Sequence, residues 1–278
     1  MKILITGHKG FIGSNLFQYL KEQEHDVYGY DKISDEMQDT TVFYRVNHFI
    51  GELKPQVIIH LASNISNNPH ECCKDIEGTI NMLEAAKKHS VEYFLFASSA
   101  AVYGNKKVYE EPINPYGISK LQQEQWVQYY QEHFKISIMR FANVYGKGGK
   151  GVINQWLYNI KNDMPIEISG DGLQTRDFIY VNDVCKVIHS MIENHYHSNA
   201  HTSSLGIKPI YNISTYQPAS LLFITQLLHH ITGKDITIKY TESKTEIRDS
   251  CLDNGALGSL KKCIRPIKEG ITELWNEK

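Results

Sequence analysis

No apolar run in the 278 residues approaches the ~20 needed to cross a bilayer, so a membrane span is not expected. Neither sign of charge dominates. Twenty-nine Lys and Arg stand against 31 Asp and Glu, for a formal net charge of -2, and a basic surface for nucleic acid or an anionic membrane is not expected. The five cysteines, Cys72, Cys73, Cys185, Cys251 and Cys263, are odd in number and form no C-x-x-C pair. That argues against a disulfide framework and for reduced thiols. Internal repeats and low-complexity tracts are absent, and the first residues read as a strand rather than a leader. Together these absences predict a cytoplasmic protein. The length suits one large α/β domain, or such a domain with a smaller partner.

What is present is concentrated in the first thirty-one residues. Lys2 to Thr6 is a short apolar run with two isoleucines, the pattern of a buried parallel strand. Glycines follow at 7, 10 and 13, and Ile12, Leu16 and Leu20 then recur at spacing four, one face of a helix. The glycines therefore sit on a strand-to-helix turn. There the backbone can approach a pyrophosphate closely, and the helix N-terminus offers free N–H groups and the positive end of its dipole. His25 to Tyr30 reads as the next strand, and Asp31 ends it, placed to accept hydrogen bonds from an adenosine ribose. Three glycines alone make an ordinary tight turn. Strand, glycines, helix, strand and terminal Asp in one run point to a dinucleotide. Asp31 should repel a 2′-phosphate, which favours NAD over NADP, although the basic His8, Lys9 and Lys32 are close by.

Further along, Lys32 to Thr41 is polar and turn-like, and Val42 to Val46 is read as a third strand. Val57 to Ala62 and Tyr93 to Ala97 are buried-strand runs, and Thr79 to His89 reads as a helix with Ile80, Leu83 and Ala86 inward. Strands alternating with helices predict a doubly wound parallel sheet of the Rossmann type. Ligands in such sheets bind beyond the carboxyl ends of the strands, so the chemistry is sought there.

The strand Tyr93–Ala97 runs into Ser98-Ser99-Ala100-Ala101-Val102-Tyr103-Gly104, and Pro115-Tyr116-Gly117-Ile118-Ser119-Lys120 follows. Tyr116 and Lys120, at i and i+4, share one helix face, continued by Gln123, Val127, Tyr130 and Phe134. A free Tyr, with a pKa of about 10, is a poor base at neutral pH. A nearby ammonium and a positive nicotinamide favour the phenolate. It can then take a proton from a substrate hydroxyl as hydride leaves for NAD, and Ser99 can share that hydrogen bond. A Tyr and a Lys four apart on an exposed helix are common. Here they follow a nucleotide-binding turn and a serine-rich strand end in the required order.

These stretches resemble the extended short-chain dehydrogenase/reductases, the NAD-dependent epimerase/dehydratase family acting on nucleotide sugars. The likeness rests on TGHKGFIG, HLAS at 60–63, GTINMLEAA at 78–86, SSAAVYG, PYGISK, RFANVYG at 140–146 and GDGLQTRDFIYVNDV at 170–184. It implies that Gly7, Gly10, Phe11, Ile12 and Gly13 hold the pyrophosphate, Asp31 the adenosine ribose, and Leu61, Ala62 and Ser63 the cofactor path. It makes Ser99, Tyr116 and Lys120 the catalytic triad, with Lys120 also on the nicotinamide ribose. Asn143 would contact the substrate diphosphate and Arg176 a nucleotide phosphate, unless Arg176 is a structural partner of Asp177 or Asp183. The implied division is a Rossmann domain over 1–146, to which the chain returns near 178–184 and 209–214, and a smaller C-terminal, mainly substrate-binding part over 147–278. A homodimer through a helix pair is the family's habit, and Trp126 and Tyr129, off the catalytic stripe, suit it.

The departures matter as much. Dehydratases of the family carry Asp and Glu just after the catalytic hydroxyl residue. Ala100 and Ala101 stand there and cannot move protons, so the pattern resembles the 4-epimerases. An NAD-dependent nucleotide-sugar 4-epimerase, with UDP favoured by frequency, is the expected activity. A 4-ketoreductase making a deoxysugar nucleotide with NAD(P)H shares the triad, and a silent NAD-binding protein is the third reading. The segments after Asp31, after HLAS, and between Gly104 and Pro115 are shorter than usual. Ser243-Lys244-Thr245 replaces the usual Arg-Pro-Gly, which leaves Lys244 or Arg248 to contact substrate phosphate. Asp75 and Glu77 stand where Asn is frequent. His195, His197 and His201 lack a carboxylate or thiol at ligand spacing and are read as a solvated loop, not a metal site. Glu110 and Glu111 are likewise read as solvated, and His229 and His230 as near a helix end.

Overall fold

The fold grows from one apolar strand. β1 (Lys2–Thr6) has Ile3, Leu4 and Ile5 with no exposed surface, so it lies in the middle of a sheet with both faces covered. The computed structural model describes residues 1–105, 109–197, 210–242 and 247–277. After β1 come α1 (Phe11–Glu22), β2 (Asp26–Tyr30), α2 (Phe43–Leu53), β3 (Val57–His60), α3 (Pro69–Lys88), β4 (Tyr93–Ser99), α4 (Pro115–Tyr129) and β5 (Lys135–Phe141). Then follow β6 (Asn143–Tyr145), α5 (Val152–Lys161), β7 (Ile166–Ser169), β8 (Thr175–Tyr180), α6 (Val181–His197), β9 (Ile210–Ile213), β10 (Pro218–Ser220), α7 (Leu221–Thr232), β11 (Ile238–Thr241) and α8 (Ile267–Asn276).

Six strands form the main sheet in the order β2-β1-β3-β4-β5-β9, and the β1–β2, β1–β3 and β3–β4 pairs are parallel. The chain leaves β1 for β2 on one side and returns to β3 on the other. That reversal opens a crevice at the carboxyl ends of β1 and β3. The doubly wound parallel sheet predicted from the strand–helix alternation is therefore present. Its core packs Leu4, Ile58, Phe94, Phe96 and Ile138 against Val46, Ile50, Met82, Leu83 and Val127 from the helices.

The chain separates into two compact units, residues 1–140 with 197–211, and residues 141–196 with 212–278. The second unit contains the three-stranded sheet β10-β8-β6 and the pair β11-β7. No helix among the described residues is long and apolar enough to cross a membrane.

The strand expected at Val42–Val46 is instead the start of α2. Val42, Tyr44 and Val46 alternate over a five-residue window, which mimics a strand. Over eleven residues Phe43, Val46, Phe49, Ile50 and Leu53 follow the 3.6 period, and Val46 and Ile50 are buried. The Asp39 carboxylate accepts the Thr41 N–H at 2.9 Å and the Thr41 hydroxyl at 2.8 Å, fixing the turn into the helix. With no strand there, β2 is the sheet edge. The expected helix Thr79–His89 is the second half of α3, which starts ten residues earlier. There Asn68 caps it by accepting the His70 N–H at 2.9 Å, and Pro69 occupies the first turn. His195 and His197 lie on α6, not in a loop, and His201 is outside the described residues. His229 and His230 occupy the last turn of α7, as read.

Candidate functional site

The crevice of the first unit is a cavity of about 320 Å³ whose lining includes Gly7, Gly10, Asp31, Leu61, Ala62 and Ser63. Gly7 has φ +72°, and a Cβ there would sit 2.8 Å from the Ala62 nitrogen. A Cβ on Gly13 would lie 2.1 Å from the Gly7 oxygen, so the third glycine lets α1 close onto the turn. α1 starts at an N-cap, Gly10, with no side-chain hydrogen bond, which leaves the first-turn N–H groups around Phe11, Ile12 and Gly13 open to an anion. The Asp31 carboxylate is fixed by the Lys9 N–H at 3.0 Å and the Ile33 N–H at 2.9 Å, and Gln38 accepts the Asp31 N–H at 2.8 Å. Each carboxylate oxygen keeps a lone pair for a ribose hydroxyl. An open helix N-terminus, a turn that only glycine fits and a fixed acidic acceptor suit a dinucleotide. Lys32, expected close by, and Asp75, marked as a departure from the family pattern, also line it, whereas sequence reading missed Tyr30, Ile33, Gln38 to Thr41, Asn64 and Lys74. Its only signal was the short polar segment after Asp31.

Ser99 ends β4, where its hydroxyl accepts the Ala101 N–H at 3.2 Å and starts a single 3₁₀ turn over Ala100–Tyr103. α4 opens with Asn114, which accepts the Gly117 N–H at 2.8 Å, followed by Pro115. That cap sets Tyr116 in the first turn and Lys120 one turn on. The Tyr116 hydroxyl hydrogen-bonds Ser99. Lys120 Nζ donates to the Ala97 carbonyl at 3.0 Å and lies 5.0 Å from the Phe96 ring centre and 6.0 Å from that of Tyr116. The structure thus brings Ser99, Tyr116 and Lys120 together. Their protonation is set mainly by burial, which pushes Tyr116 up to about 12, against the Ser99 hydrogen bond. Burial also brings Lys120 down to about 8, against the pull of Asp75 and Glu124. Burial therefore favours the protonated phenol of Tyr116.

Two buried polar chains support this helix, and neither was legible as a unit. In one, the Ala62 N–H donates to Thr6 Oγ1 at 3.2 Å, and Thr6 Oγ1 meets His60 Nδ1 at 2.7 Å. His60 Nε2 meets Thr79 Oγ1 at 3.1 Å, which lies 2.9 Å from Gln123 Oε1 on α4. Burial holds His60 neutral, pushing it down to about 3. In the other, Glu124 takes Arg140 Nε at 2.9 Å and Nη2 at 2.6 Å, and also accepts the Ser98 hydroxyl. Arg140 Nη2 reaches Glu110 at 2.9 Å as well. Glu110, expected to be solvated, is therefore an ion-pair partner that ties down the segment before Tyr116.

In the second unit, Asn143 starts β6 and donates to the Asp177 carbonyl at 3.3 Å. Arg176, on β8, pairs with neither Asp177 nor Asp183. Asp177 accepts the Thr215 N–H at 2.9 Å and the Tyr216 N–H at 3.0 Å, while Asp183 pairs with Arg265 at 2.8 Å. Arg176 instead donates to the carbonyls of Thr175 at 2.7 Å, Ile247 at 2.8 Å and Arg248 at 3.2 Å. It thereby holds the segment carrying Arg248. Arg248 forms a two-pronged pair with Asp171 at 3.1 and 2.9 Å and is largely exposed. Lys244 lies outside the described residues.

A parallel sheet with a glycine-turn crevice at its reversal, and a Ser–Tyr–Lys cluster at the strand ends, defines a dinucleotide-dependent oxidoreductase or isomerase of the Rossmann type. Residues 3–213 match the model of the NAD dependent epimerase/dehydratase family. The chain belongs to that family of enzymes, and its cofactor is NAD. YtcB of Bacillus subtilis, an uncharacterized UDP-glucose epimerase, is 31% identical, covering 87% of this chain and 85% of YtcB. The UDP-glucose 4-epimerase of Thermotoga maritima, solved with UDP-glucose, superposes with a TM-score of 0.85 at 26% identity, covering 99% of this chain and 97% of the other. The UDP-glucuronic acid 4-epimerase of Bacillus cereus, solved with its substrate and NAD, gives 0.81 at 26% identity, covering 99% and 98%.

Proposed function

We propose that the chain is an NAD-dependent nucleotide-sugar 4-epimerase working through a transient 4-keto sugar, with a UDP-hexose as substrate. The observation that carries this is the Ser99–Tyr116–Lys120 cluster, followed by Ala100 and Ala101 rather than by acids. The likeness to UDP-sugar 4-epimerases in sequence and fold supports it. NAD supplies a reversible hydride acceptor. Gly7, Gly10 and the first turn of α1 (Phe11, Ile12 and Gly13) hold its pyrophosphate, Asp31 its adenosine ribose, and Leu61, Ala62 and Ser63 line its path. Tyr116, as phenolate, takes the proton of the C4 hydroxyl and later returns it, while Ser99 shares that hydrogen bond. Lys120 stabilises the phenolate and binds the nicotinamide ribose. Asn143, Arg176 and Arg248 hold the diphosphate while the sugar turns, and guanidinium forks suit that task.

The first unit is read as the NAD-binding part and the second as mainly substrate-binding. The enzyme is read as cytoplasmic and as a homodimer pairing through α3 and α4, where Ile76, Trp126 and Tyr129 line a shallow surface depression. The test is incubation with NAD and a panel of nucleotide sugars. A new isomer at unchanged mass without lasting NADH is expected. Loss of water, or turnover only of a 4-keto sugar with added NAD(P)H, would overturn the reading. Tyr116→Phe should lose most activity and keep its fold.

A further inference from the structure

Lys120 is a buried cation whose ammonium donates its hydrogen bond to a neutral carbonyl, that of Ala97. A charge so placed needs a counter-charge to stay ionised. The carboxylate on its own helix, Glu124, is already engaged by Arg140 at 2.6 and 2.9 Å. α3 packs on α4 at two places, where the Ser119 hydroxyl donates to the Cys72 carbonyl at 3.5 Å and Thr79 Oγ1 lies 2.9 Å from Gln123 Oε1. Between those contacts along α3, Asp75 lines the cofactor cavity, and its Oδ2 accepts the Ser63 hydroxyl at 2.7 Å and the Asn64 N–H at 2.8 Å. Both donors are neutral, so they leave the negative charge of Asp75 intact. Its field acts on both reactive groups. Of the neighbouring charges, Asp75 does most to keep Lys120 protonated and most to oppose ionisation of Tyr116.

We propose that Asp75 is the counter-ion of Lys120 and a brake on Tyr116, holding the lysine as an ammonium and the phenol protonated until a cation enters the cleft. The inference rests on the reading of Tyr116 as the base. The cation is the oxidised nicotinamide, so the base form arises only with the hydride acceptor in place. When the ring is reduced and neutral, Asp75 keeps the proton on Tyr116, ready to be handed back as the hydride returns. With NAD bound, Tyr116 would therefore give up its proton only when the hydride acceptor is in place. The same carboxylate favours the cationic, oxidised ring over the neutral, reduced one. Ser63 and Asn64 position the carboxylate, so the short segment after HLAS serves the electrostatics as well as the cofactor path.

Other titratable groups around the pair do not replace Asp75. β3 brings His60, which burial keeps neutral. α3 also brings the Cys72 thiol, which burial pushes up and so keeps uncharged. α4 brings Glu124, neutralised by Arg140, and β4 ends in the uncharged Ser98 and Ser99, its Tyr93 at the other end being held protonated by burial. Lys32 and Lys74 line the same cavity, and each is an exposed cation.

The test is Asp75→Asn, in which one amide oxygen keeps both hydrogen bonds because both converge on Oδ2. Asp75→Ser is the second uncharged variant. Phenolate absorbance is followed against pH in each protein. The matching Tyr116→Phe background is subtracted, since the chain has 17 tyrosines. The Tyr116 midpoint should fall by roughly one pH unit in Asp75→Asn, the size of a unit charge at cleft distance. The acid limb of the rate profile should move the same way. In an equilibrium redox titration the bound cofactor should shift several-fold toward NADH. An unmoved Tyr116 midpoint, or a change confined to the KM for NAD and equal in both variants, would overturn the proposal. Full turnover by Tyr116→Phe would instead overturn the base assignment on which it stands.

Discussion

Two charges lie one turn apart on α4, both fully buried, and they are treated in opposite ways. Glu124 is saturated: Arg140 grips it twice and Ser98 donates to it. Lys120 has a carbonyl at 3.0 Å and two aromatic faces, and feels the charge of Asp75 on α3 without an ion pair to it. Burial therefore brings the lysine down to about 8, while Arg140 is held firmly cationic by its carboxylate partner. A structural charge is paired until it no longer responds to its surroundings. A reactive charge is left under-paired, so that what enters the cleft changes its state. The same helix thus contains an anchor and a responsive group.

The sharpest way to break that comparison is Lys120→Met. Activity should fall roughly 10²–10⁴-fold, the usual contribution of a positioned acid–base group. Because the fold depresses the ionisation of Lys120, the protonated lysine costs stability below pH 8, and denaturant midpoints at neutral pH should be equal to or above those of the parent. A clear loss of stability would mean that Lys120 is an anchor too. Glu124→Ala should do the reverse. It leaves the buried Arg140 with Glu110 alone as carboxylate partner among the described residues and should cost about 3 kcal/mol in urea unfolding, with any surviving folded enzyme keeping measurable turnover.

His60 sharpens the contrast through pH. Its folded value of about 3 lies below the unfolded value of ~6.5, so between the two the unfolded chain binds the extra proton. Stability should be full above ~6.5 and decline as pH falls toward 3, by on the order of 4 kcal/mol from this residue. Urea titrations of the parent and His60→Gln should show a shallower acid slope in the variant. The smallest structural effect is expected at Arg248, an exposed pair with Asp171. Arg248→Ala should leave the unfolding midpoint unchanged and raise the KM for the nucleotide sugar several-fold. An unchanged KM would remove Arg248 from the substrate contacts.

Most of the chemistry was legible because it is local. Gly7, Gly10 and Gly13 with Asp31 form one strand–turn–helix–strand unit, and Tyr116 and Lys120 share a helix turn, so sequence spacing alone placed them in one crevice and on one face. The α2 segment was not legible, because five alternating residues look like a strand until the following turns are counted. Glu110, read as solvated, was misplaced for another reason: its partner Arg140 is thirty residues away, and no local pattern announces an ion pair across that distance. The same holds for Arg176. It was expected on a nucleotide phosphate unless paired with Asp177 or Asp183, and besides the adjacent Thr175 carbonyl its donors go to carbonyls seventy or so residues later in the chain.

The sequence by itself determined the parallel sheet, the glycine crevice and the placing of Tyr116 and Lys120 on one helix face, because periodicity and spacing encode contacts between residues a few positions apart. Only the tertiary structure decided which charges are saturated and which are left poised. That depends on what packs against α4 from β3, α3 and β4, and on burial, which raises Tyr116 and lowers Lys120 in ways no spacing encodes. Asp75 belongs to both accounts. The sequence marked it as a departure from the family pattern, and the fold placed it on α3 in the lining of the glycine crevice.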